Sequence, residues 1–529
     1  MLGELGMTDD SNRISIVNPA TLEPVGETDC TPLGAIPGMV QRARSAQSAW
    51  MARSAQDRKQ ALQRLQEIVC QRVDEIAKVV SSETGKPRID AINTDVLAGL
   101  ATLDFSVAEA EHMFDERRVH LGNLDRSMRL IGRRSYLTPR PLGLVAVISP
   151  WNYPFCIPFS QAVMAVAAGS AVIIKPSSST PFTALKIIEL FESAGFPREL
   201  VQAVIGAGRT TTEALLASGI DKIVFTGSSE TGRAIMTACA RTLTPIILEL
   251  GGKDPMVVLA DADLERAVSG AVWGGFVNAG QTCAGVKRVI VQEEVYAPFI
   301  RELRSRTEGL KLGWGWDDPE VSVGPLINEA AVHEMEQLVS RSVDRGAELL
   351  CGGKRPEGLK GHFFQPTLLA GLDPEAGAKG KEVFGPVVMI YKAKDEAEAI
   401  SLANDCDFAL SASVWTKDVQ RGRRIAGQLS GGTAVVNNTP YTYGLAATPW
   451  GGSRESGFGR THGALGFEEL LDWHHVHVDQ GSSRRDIWWS PYDREKLQAS
   501  LDYLRITFSK QRKGRWDAIR RIRRLMNRK

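Results

Sequence analysis

The chain has 529 residues, 43% of them hydrophobic and 24% charged, with a formal net charge of +1. It is too long for one ordinary domain, and its composition excludes a disordered, fibrous or membrane-embedded protein. The charge is uneven: Arg484 to Lys529 carries fifteen Lys/Arg against five Asp/Glu, and the rest of the chain 48 against 57, so a basic tail on a mildly acidic body points to an acidic partner for the tail.

The acidic stretch Met1 to Arg13 lacks an apolar segment and is not expected to be a signal peptide. Ile14, Ile16 and Val17 before Asn18-Pro19 predict a short strand and turns within Ser15 to Cys30. From Asp57, the residues Leu62, Leu65, Ile68, Val69, Val73 and Ile76 recur at helical spacing, and Gly85 and Pro87 stop the helix. Gly85-Lys86 lacks the surrounding residues of a P-loop. Further helix is expected from Ile89 to about Met113. From Leu144 short apolar runs alternate with helical patterns. Strands are expected at Leu144 to Ile148, Ala171 to Ile174, Val201 to Ile205, Ile223 to Phe225 and Ile246 to Leu248. Helices are expected at Phe159 to Ala168, Phe182 to Ala194, Thr211 to Ala217 and Ser229 to Ala240. This alternation predicts a parallel, doubly wound sheet with a ligand crevice at the carboxyl ends of its strands. After Gly252 a second α/β segment follows, with strands around Met256, Val289, Val387, Ser413 and Ala434 and a helix from Leu264.

No run approaches the length of a membrane-spanning helix. In the tail, Ile487-Trp488-Trp489-Ser490-Pro491-Tyr492 leads into Leu497, Leu501, Leu504 and Phe508 at helical spacing. Trp516, Ile519, Ile522 and Met526 then sit among Arg515, Arg520, Arg521, Arg523, Arg524 and Arg528. This is a basic amphipathic pattern with aromatics near its start. It suits an interfacial membrane anchor, or a helix packed on the body or on a partner subunit. Nucleic acid is a poorer partner, because no recognition module accompanies the charge. The seven cysteines are odd in number, widely spaced and without C-x-x-C, which supports neither a disulfide framework nor a zinc site and fits a reducing compartment.

Cys283 stands between small and polar residues in Gly280-Gln281-Thr282-Cys283-Ala284-Gly285 and is a candidate nucleophile. Glu249, in Leu248-Glu249-Leu250-Gly251-Gly252-Lys253, is the candidate base. The bland alternative is a small buried thiol. Phe225-Thr226-Gly227-Ser228 follows a strand and opens a helix, a place where backbone N–H groups can meet a phosphate. Lys175, in Ile174-Lys175-Pro176-Ser177-Ser178, lies at a strand's carboxyl end, where it could bond a ribose hydroxyl. Asn152, in Ser149-Pro150-Trp151-Asn152-Tyr153-Pro154, could stabilise an oxyanion or merely hold a turn.

Together these motifs resemble the NAD(P)-dependent aldehyde dehydrogenase superfamily, from about Val17 to Asp479. Glu382-Val383-Phe384-Gly385-Pro386-Val387, Pro449-Trp450-Gly451-Gly452 and Ser456-Gly457-Phe458-Gly459-Arg460 complete the set in the family's order. The resemblance implies an α/β fold with a doubly wound, parallel-sheet dinucleotide-binding domain (1–122 and 142–252). It also implies a second α/β catalytic domain (253–450), a small β oligomerisation element (123–141 and 468–480) and, beyond the common family length, the tail (481–529). It implies a thiohemiacetal and then a thioester on Cys283, with Asn152 at the oxyanion and Glu249 activating water. Sulfur suits both steps, but a thiolate calls for an electropositive, partly open site. Lys175, Ser178, Gly227, Ser228, Trp151, Glu382 and Phe384 would hold NAD or NADP. Ser178 departs from the glutamate of many NAD-preferring relatives, so NADP should be tolerated. Tyr153, Thr282, Tyr441 and Tyr443 would line the aldehyde funnel. The segment Asn438 to Leu445 has no arginine, which favours an apolar aliphatic or aromatic aldehyde over an acidic one such as succinate semialdehyde. A homodimer or homotetramer in the cytoplasm is expected, with possible peripheral contact at the cytoplasmic membrane face. The alternatives are a non-catalytic membrane-associated scaffold with the same fold, or an enzyme passing its acyl group to coenzyme A, which would leave Glu249 unused.

Overall fold

The structure, a computed structural model, describes residues 12–130, 132–371, 381–439, 441–481, 486–509 and 515–526. The start of the chain, Pro440 of the tyrosine loop and Arg528 of the tail lie outside them. The chain forms two compact units, one up to Glu111 with Pro141–Leu470, the other His112–Arg140 with the residues from Leu471 on.

In chain order the strands are β1 (Arg13–Val17), β2 (Pro24–Asp29), β3 (Arg117–Arg118), β4 (Arg133–Pro141), β5 (Leu144–Ile148), β6 (Ala171–Lys175), β7 (Val201–Ala203), β8 (Lys222–Thr226) and β9 (Ile246–Glu249). There follow β10 (Asp254–Val258), β11 (Val286–Gln292), β12 (Glu348–Cys351), β13 (Thr367–Ala370), β14 (Val387–Ala393), β15 (Phe408–Ala409), β16 (Ser411–Trp415), β17 (Thr433–Val436), β18 (Ser453–Arg454), β19 (Gly457–Phe458) and β20 (Leu471–Asp479).

The large unit opens on an antiparallel ribbon of β1 and β2, two strands where the sequence predicts one strand and turns. The turn between them is built on Asn18, whose side chain accepts from the N–H of Ala20 at 2.8 Å. The helix Ile36–Met51 was not expected. It turns Val40, Ala43, Ala46 and Trp50 inward, and small inward residues make a weak apolar stripe. The single helix expected from Asp57 is two, Ala55–Gln71 and Val73–Thr84. Arg72 breaks it at φ −110°, its guanidinium bonding Glu75 at 2.6 Å, while Leu62, Leu65, Val69 and Ile76 stay buried on both sides of the break. A π-helical turn, Ala91–Val96, precedes the helix Leu97–Glu109.

The first sheet has the order β19-β9-β8-β5-β6-β7. Strands β5 to β9 are parallel, and β5 is buried along its whole length, as a strand covered on both faces must be. The chain proceeds from β5 to β6 and β7 on one side, then returns to β8 and β9 on the other. The order therefore reverses between β5 and β8, and such a switch point opens a crevice at the carboxyl ends. The second sheet, β12-β13-β14-β11-β10-β16-β17, is parallel except for the antiparallel edge β12. Its core includes Val257, Val289, Ile290, Val388, Ile390 and Val414. Late in the chain β19 returns to pair antiparallel with β9, setting Gly457 opposite Glu249.

The small unit holds the sheet β20-β4-β3. Arg133 bonds Asp479 at 2.6 Å, Ser135 meets His477 at 2.8 Å and Arg140 bonds Asp472 at 2.7 Å, so β4 and β20 run in opposite directions. Two helices follow, Arg494–Phe508 and Arg515–Met526. Of the second apolar set, Ile522 and Met526 pack with Leu525 against Ala499 and Tyr503 of the preceding helix, whereas Trp516 is exposed. Among the described residues no helix is long and apolar enough to cross a membrane.

Candidate active site

The helix Leu264–Phe276 ends in a loop that no ordinary run of residues would follow. Asn278, Ala279 and Gly280 all have positive φ, at 53°, 53° and 69°, a conformation that costs L-residues energy and favours glycine. Glycine is required at 280 for a second reason: a Cβ there would lie 2.2 Å from the carbonyl oxygen of Gly385. The loop is held by buried Gln281, whose Oε1 accepts from the N–H of Ile327 at 2.9 Å and whose Nε2 donates to the Asn278 carbonyl at 3.1 Å. Below it, the Lys287 ammonium donates to the carbonyls of Gly280 and Gly385. Cys283 stands half-buried on this braced loop, three residues before β11.

The motif after Glu249 fits against the same loop. A Cβ on Gly252 would lie 2.1 Å from the Cys283 carbonyl oxygen, and one on Gly251 would lie 2.6 Å from Glu382 Oε2. The Gly252 N–H donates to Glu382 Oε1 at 3.1 Å. The paired glycines thus let the end of the first sheet pass beneath the nucleophile loop and beside Glu382.

Cys283 and Glu249 line one cavity of about 280 Å³, together with all four residues assigned to the aldehyde, Tyr153, Thr282, Tyr441 and Tyr443. The Tyr153 and Thr282 hydroxyls are 2.6 Å apart. Leu97, Ile157, Trp273, Leu445 and Trp450 complete much of the wall. Asn152 is buried beside it and donates through Nδ2 to the Gln281 carbonyl at 3.0 Å, two residues before Cys283. A network missed in the sequence fixes Asn152. Its carbonyl accepts from Lys86 Nζ at 2.9 Å and from Asn278 Nδ2 at 3.0 Å. Lys86 is fully buried against Asp95 at 2.5 Å. Asp95 in turn accepts from the N–H groups of Phe155 and Cys156 at 3.2 and 3.1 Å, capping the helix Cys156–Ala167 as a carboxylate at an N-terminus should. The only sequence signal was Lys86 beside Gly85, which spacing ruled out as a P-loop. Nothing linked it to Asp95.

The electrostatics separate the two reacting groups. Burial pushes the Glu249 carboxyl up to about 8, opposed by the Arg460 charge and by Trp450. Its Oε1 is buried with no hydrogen-bond partner among the described residues. Burial pushes the Cys283 thiol well above its ordinary value, and Glu382, Asp254 and Glu249 add to the rise. This differs from the expected electropositive site: the charges of Glu382, Asp254 and Glu249 all disfavour the thiolate. Burial also raises Glu382 and Asp254 to about 7, so near neutrality their charge is partly quenched. Lys287 is a cation in this cluster, and burial lowers it to about 8.

The cofactor candidates gather in two places. Lys175 ends β6, buried, with Nζ donating to the Pro176 carbonyl at 3.0 Å, and Ser178 is half-buried just beyond. Gly227 follows β8, its N–H donating to the Glu249 carbonyl at 3.0 Å, and a Cβ there would strike the Phe225 ring at 2.6 Å. The Ser228 hydroxyl accepts from Thr231 N–H at 3.2 Å and so caps the helix Ser229–Ala240. These residues flank the β5–β8 switch point. The second group lies by the nucleophile loop, where Trp151 and Phe384 meet edge to face with ring centres 5.5 Å apart and Glu382 stands over Gly251. The set fits a dinucleotide: an ammonium and hydroxyls for one ribose, a helix N-terminus for the pyrophosphate, and a carboxylate for the other ribose.

Comparison with known proteins gives the family. The sequence profile of the aldehyde dehydrogenase family matches residues 7–476. The chain is 33% identical to a glutarate-semialdehyde dehydrogenase of Pseudomonas putida over 471 residues, covering 89% of this chain and 95% of that protein. Its identity with the NADP(+) succinate-semialdehyde dehydrogenase GabD of Escherichia coli is also 33%, with the same coverage. The structure of a variant betaine aldehyde dehydrogenase from Staphylococcus aureus in complex with NAD+ superposes with a TM-score of 0.83 at 30% identity, covering 92% of this chain and 97% of that one. The chain therefore belongs to the aldehyde dehydrogenase family, and it is an oxidoreductase that converts an aldehyde to the acid with NAD or NADP.

Proposed function

We propose that Cys283 is the nucleophile, Glu249 the base and Asn152 the oxyanion donor in oxidation of an uncharged, apolar aldehyde. The Cys283 sulfur adds to the aldehyde carbon, and its proton leaves to solvent or to a neighbouring carboxylate. The oxygen of the thiohemiacetal takes hydrogen bonds from Asn152 Nδ2 and the Cys283 N–H, donors that gain strength as charge develops. When bound, the nicotinamide supplies the acceptor for the hydride, and a thioester is left on Cys283. Glu249 then takes a proton from water, whose oxygen attacks the thioester carbon and frees the acid and the thiol. A base near 8 is matched to that task. The observation that carries the assignment is the shared cavity of Cys283 and Glu249. Glu249→Gln should accumulate a thioester on Cys283, visible as added mass on the intact protein, with turnover reduced about 10²–10⁴-fold. Unimpaired turnover would refute it.

The cavity wall supports the apolar substrate: among the described residues that line it, Glu249 is the only one with a charged side chain, and none is Lys, Arg or His. The similar semialdehyde dehydrogenases are named for substrates bearing a carboxylate, which would find no cation here. A cationic aldehyde is a second reading, because Tyr153, Tyr441, Tyr443, Trp273 and Trp450 give the cavity aromatic faces that suit a quaternary ammonium. A panel of hexanal, benzaldehyde, betaine aldehyde and succinate semialdehyde separates the readings by kcat/KM. The highest value for succinate semialdehyde would overturn both.

We also propose that the enzyme is a cytoplasmic homo-oligomer joined through β4 and β20, whose tail touches the cytoplasmic face of a membrane. Among the described residues β20 is an edge strand of its sheet, where a second copy could pair. A single-chain mass in solution would refute the oligomer.

A further inference from the structure

The helix Arg494–Phe508 has two unlike faces. Lys496, Ala499 and Asp502 are buried. Ala499 packs on Leu525 and Met526 of the next helix, and the pair is tied by Arg521–Asp502 at 3.2 Å and Arg524–Glu495 at 2.8 Å. The opposite stripe is left outside. Leu497, Leu501, Leu504 and Phe508 fall on one side at helical spacing, and they are 64%, 40%, 53% and 58% exposed. Trp489, Tyr492 and Trp516 are exposed as well. Four large apolar side chains in one row, flanked by exposed aromatics, mark an interaction surface rather than scattered surface residues.

The charge around the stripe selects the occupant. Arg494 and Arg505 lie exposed on the same helix, Arg505 one turn after Leu501, and Arg520 is exposed on the next. The segment from Arg484 on carries fifteen cations against five anions. Two such tails laid face to face would bring like charges together, and a neutral apolar groove would offer no counter-charge to the tail's excess of cations. An anionic lipid surface satisfies both halves of the pattern: leucines and Phe508 enter the acyl boundary, and the guanidinium groups meet phosphates and carboxylates.

We infer that the helix Arg494–Phe508 lies flat on an anionic membrane surface, with the Leu497, Leu501, Leu504 and Phe508 stripe inserted. This rests on the membrane reading of the tail and adds the inserted face and the lipid charge. The test is sedimentation of the full chain with vesicles of phosphatidylcholine alone and of phosphatidylcholine with phosphatidylserine, at low and high salt. The expected result is pelleting with the anionic vesicles and about tenfold less with the neutral ones, weakened by salt. The double variant Leu501→Glu, Leu504→Glu should lose pelleting and keep aldehyde oxidation. Equal pelleting with both vesicles would overturn the lipid-charge inference while leaving the membrane reading intact. Pelleting that survives the double variant would overturn the inserted face. No pelleting of the parent with either vesicle would overturn both. A lower oligomer mass for the double variant, without any vesicle binding by the parent, would assign the stripe to a second copy and overturn the inference.

Discussion

Glu249 illustrates how one buried carboxyl ties function to stability. Its carboxyl is held near 8 by burial, against an ordinary value of 4.5. The folded state therefore prefers the protonated form. The stability this contributes is complete below about pH 4.5 and is lost as pH rises through about 8. Base catalysis needs the opposite, ionised form, so turnover limited by thioester hydrolysis should rise with pH and level off above about 8. Glu249→Gln should match the parent in urea unfolding near pH 4.5 and exceed it by a few kcal/mol near pH 9; an advantage independent of pH would refute the buried-charge account. Asn152→Ala should lower kcat by about 10²–10³-fold, measured with saturating cofactor, and an unaltered kcat would remove its role. Such residues were legible because their chemistry is local: a thiol between glycines, a glutamate before two glycines, an asparagine at a strand end. Lys86, Asp95 and Gln281 were not, because their meaning lies in partners 9 to 66 positions away.

The strands and helices around the switch point were legible because buried parallel strands read as short apolar runs. The helix Ser229–Ala240 is found where its glycine turn and cap placed it. The helix Ile36–Met51 was hidden by its alanine-lined face, and β19 by a partner far along the chain. The break at Arg72 was hidden because the apolar period continues through it. The loops that form the site depend most on such unseen contacts, and the Lys86–Asp95 pair is the clearest case. Breaking a buried pair strands the remaining charge. Lys86→Met should destabilise the chain by about 3–5 kcal/mol in urea unfolding and lower kcat more than it raises KM, because the Asn152 carbonyl loses its ammonium donor. In the double variant Lys86→Met, Asp95→Leu the lone charge is gone, but so is the cap on Cys156–Ala167, so only part of the stability should return. Full recovery would show that Asp95 serves the ion pair alone.

At the scale of the whole molecule, the first sheet supplies Asn152, Glu249, Lys175 and Gly227, and the second supplies Cys283, Glu382 and Phe384. A dinucleotide held by both groups of cofactor residues would tie the sheets together, and its binding would appear as stability of the large unit. A ligand at about 100 times its Kd adds about 2.7 kcal/mol to the folded state. On the proposed cofactor assignment, the half-buried Ser178 would decide which dinucleotide does so. A hydroxyl there can accept from a ribose hydroxyl or donate to a 2′-phosphate, whereas a carboxylate would repel the phosphate's charge. Both NAD and NADP should therefore raise the thermal midpoint of the parent. Ser178→Glu should keep the NAD shift, lose most of the NADP shift and lower kcat/KM for NADP by at least about tenfold, the equivalent of 1.4 kcal/mol. The midpoint is read without aldehyde, so it separates binding from chemistry. If NADP shifts the variant as far as the parent, Ser178 does not face the 2′ position, and the selectivity must reside elsewhere along the β6 loop. If NADP fails to shift even the parent, the tolerance inferred from this serine is wrong.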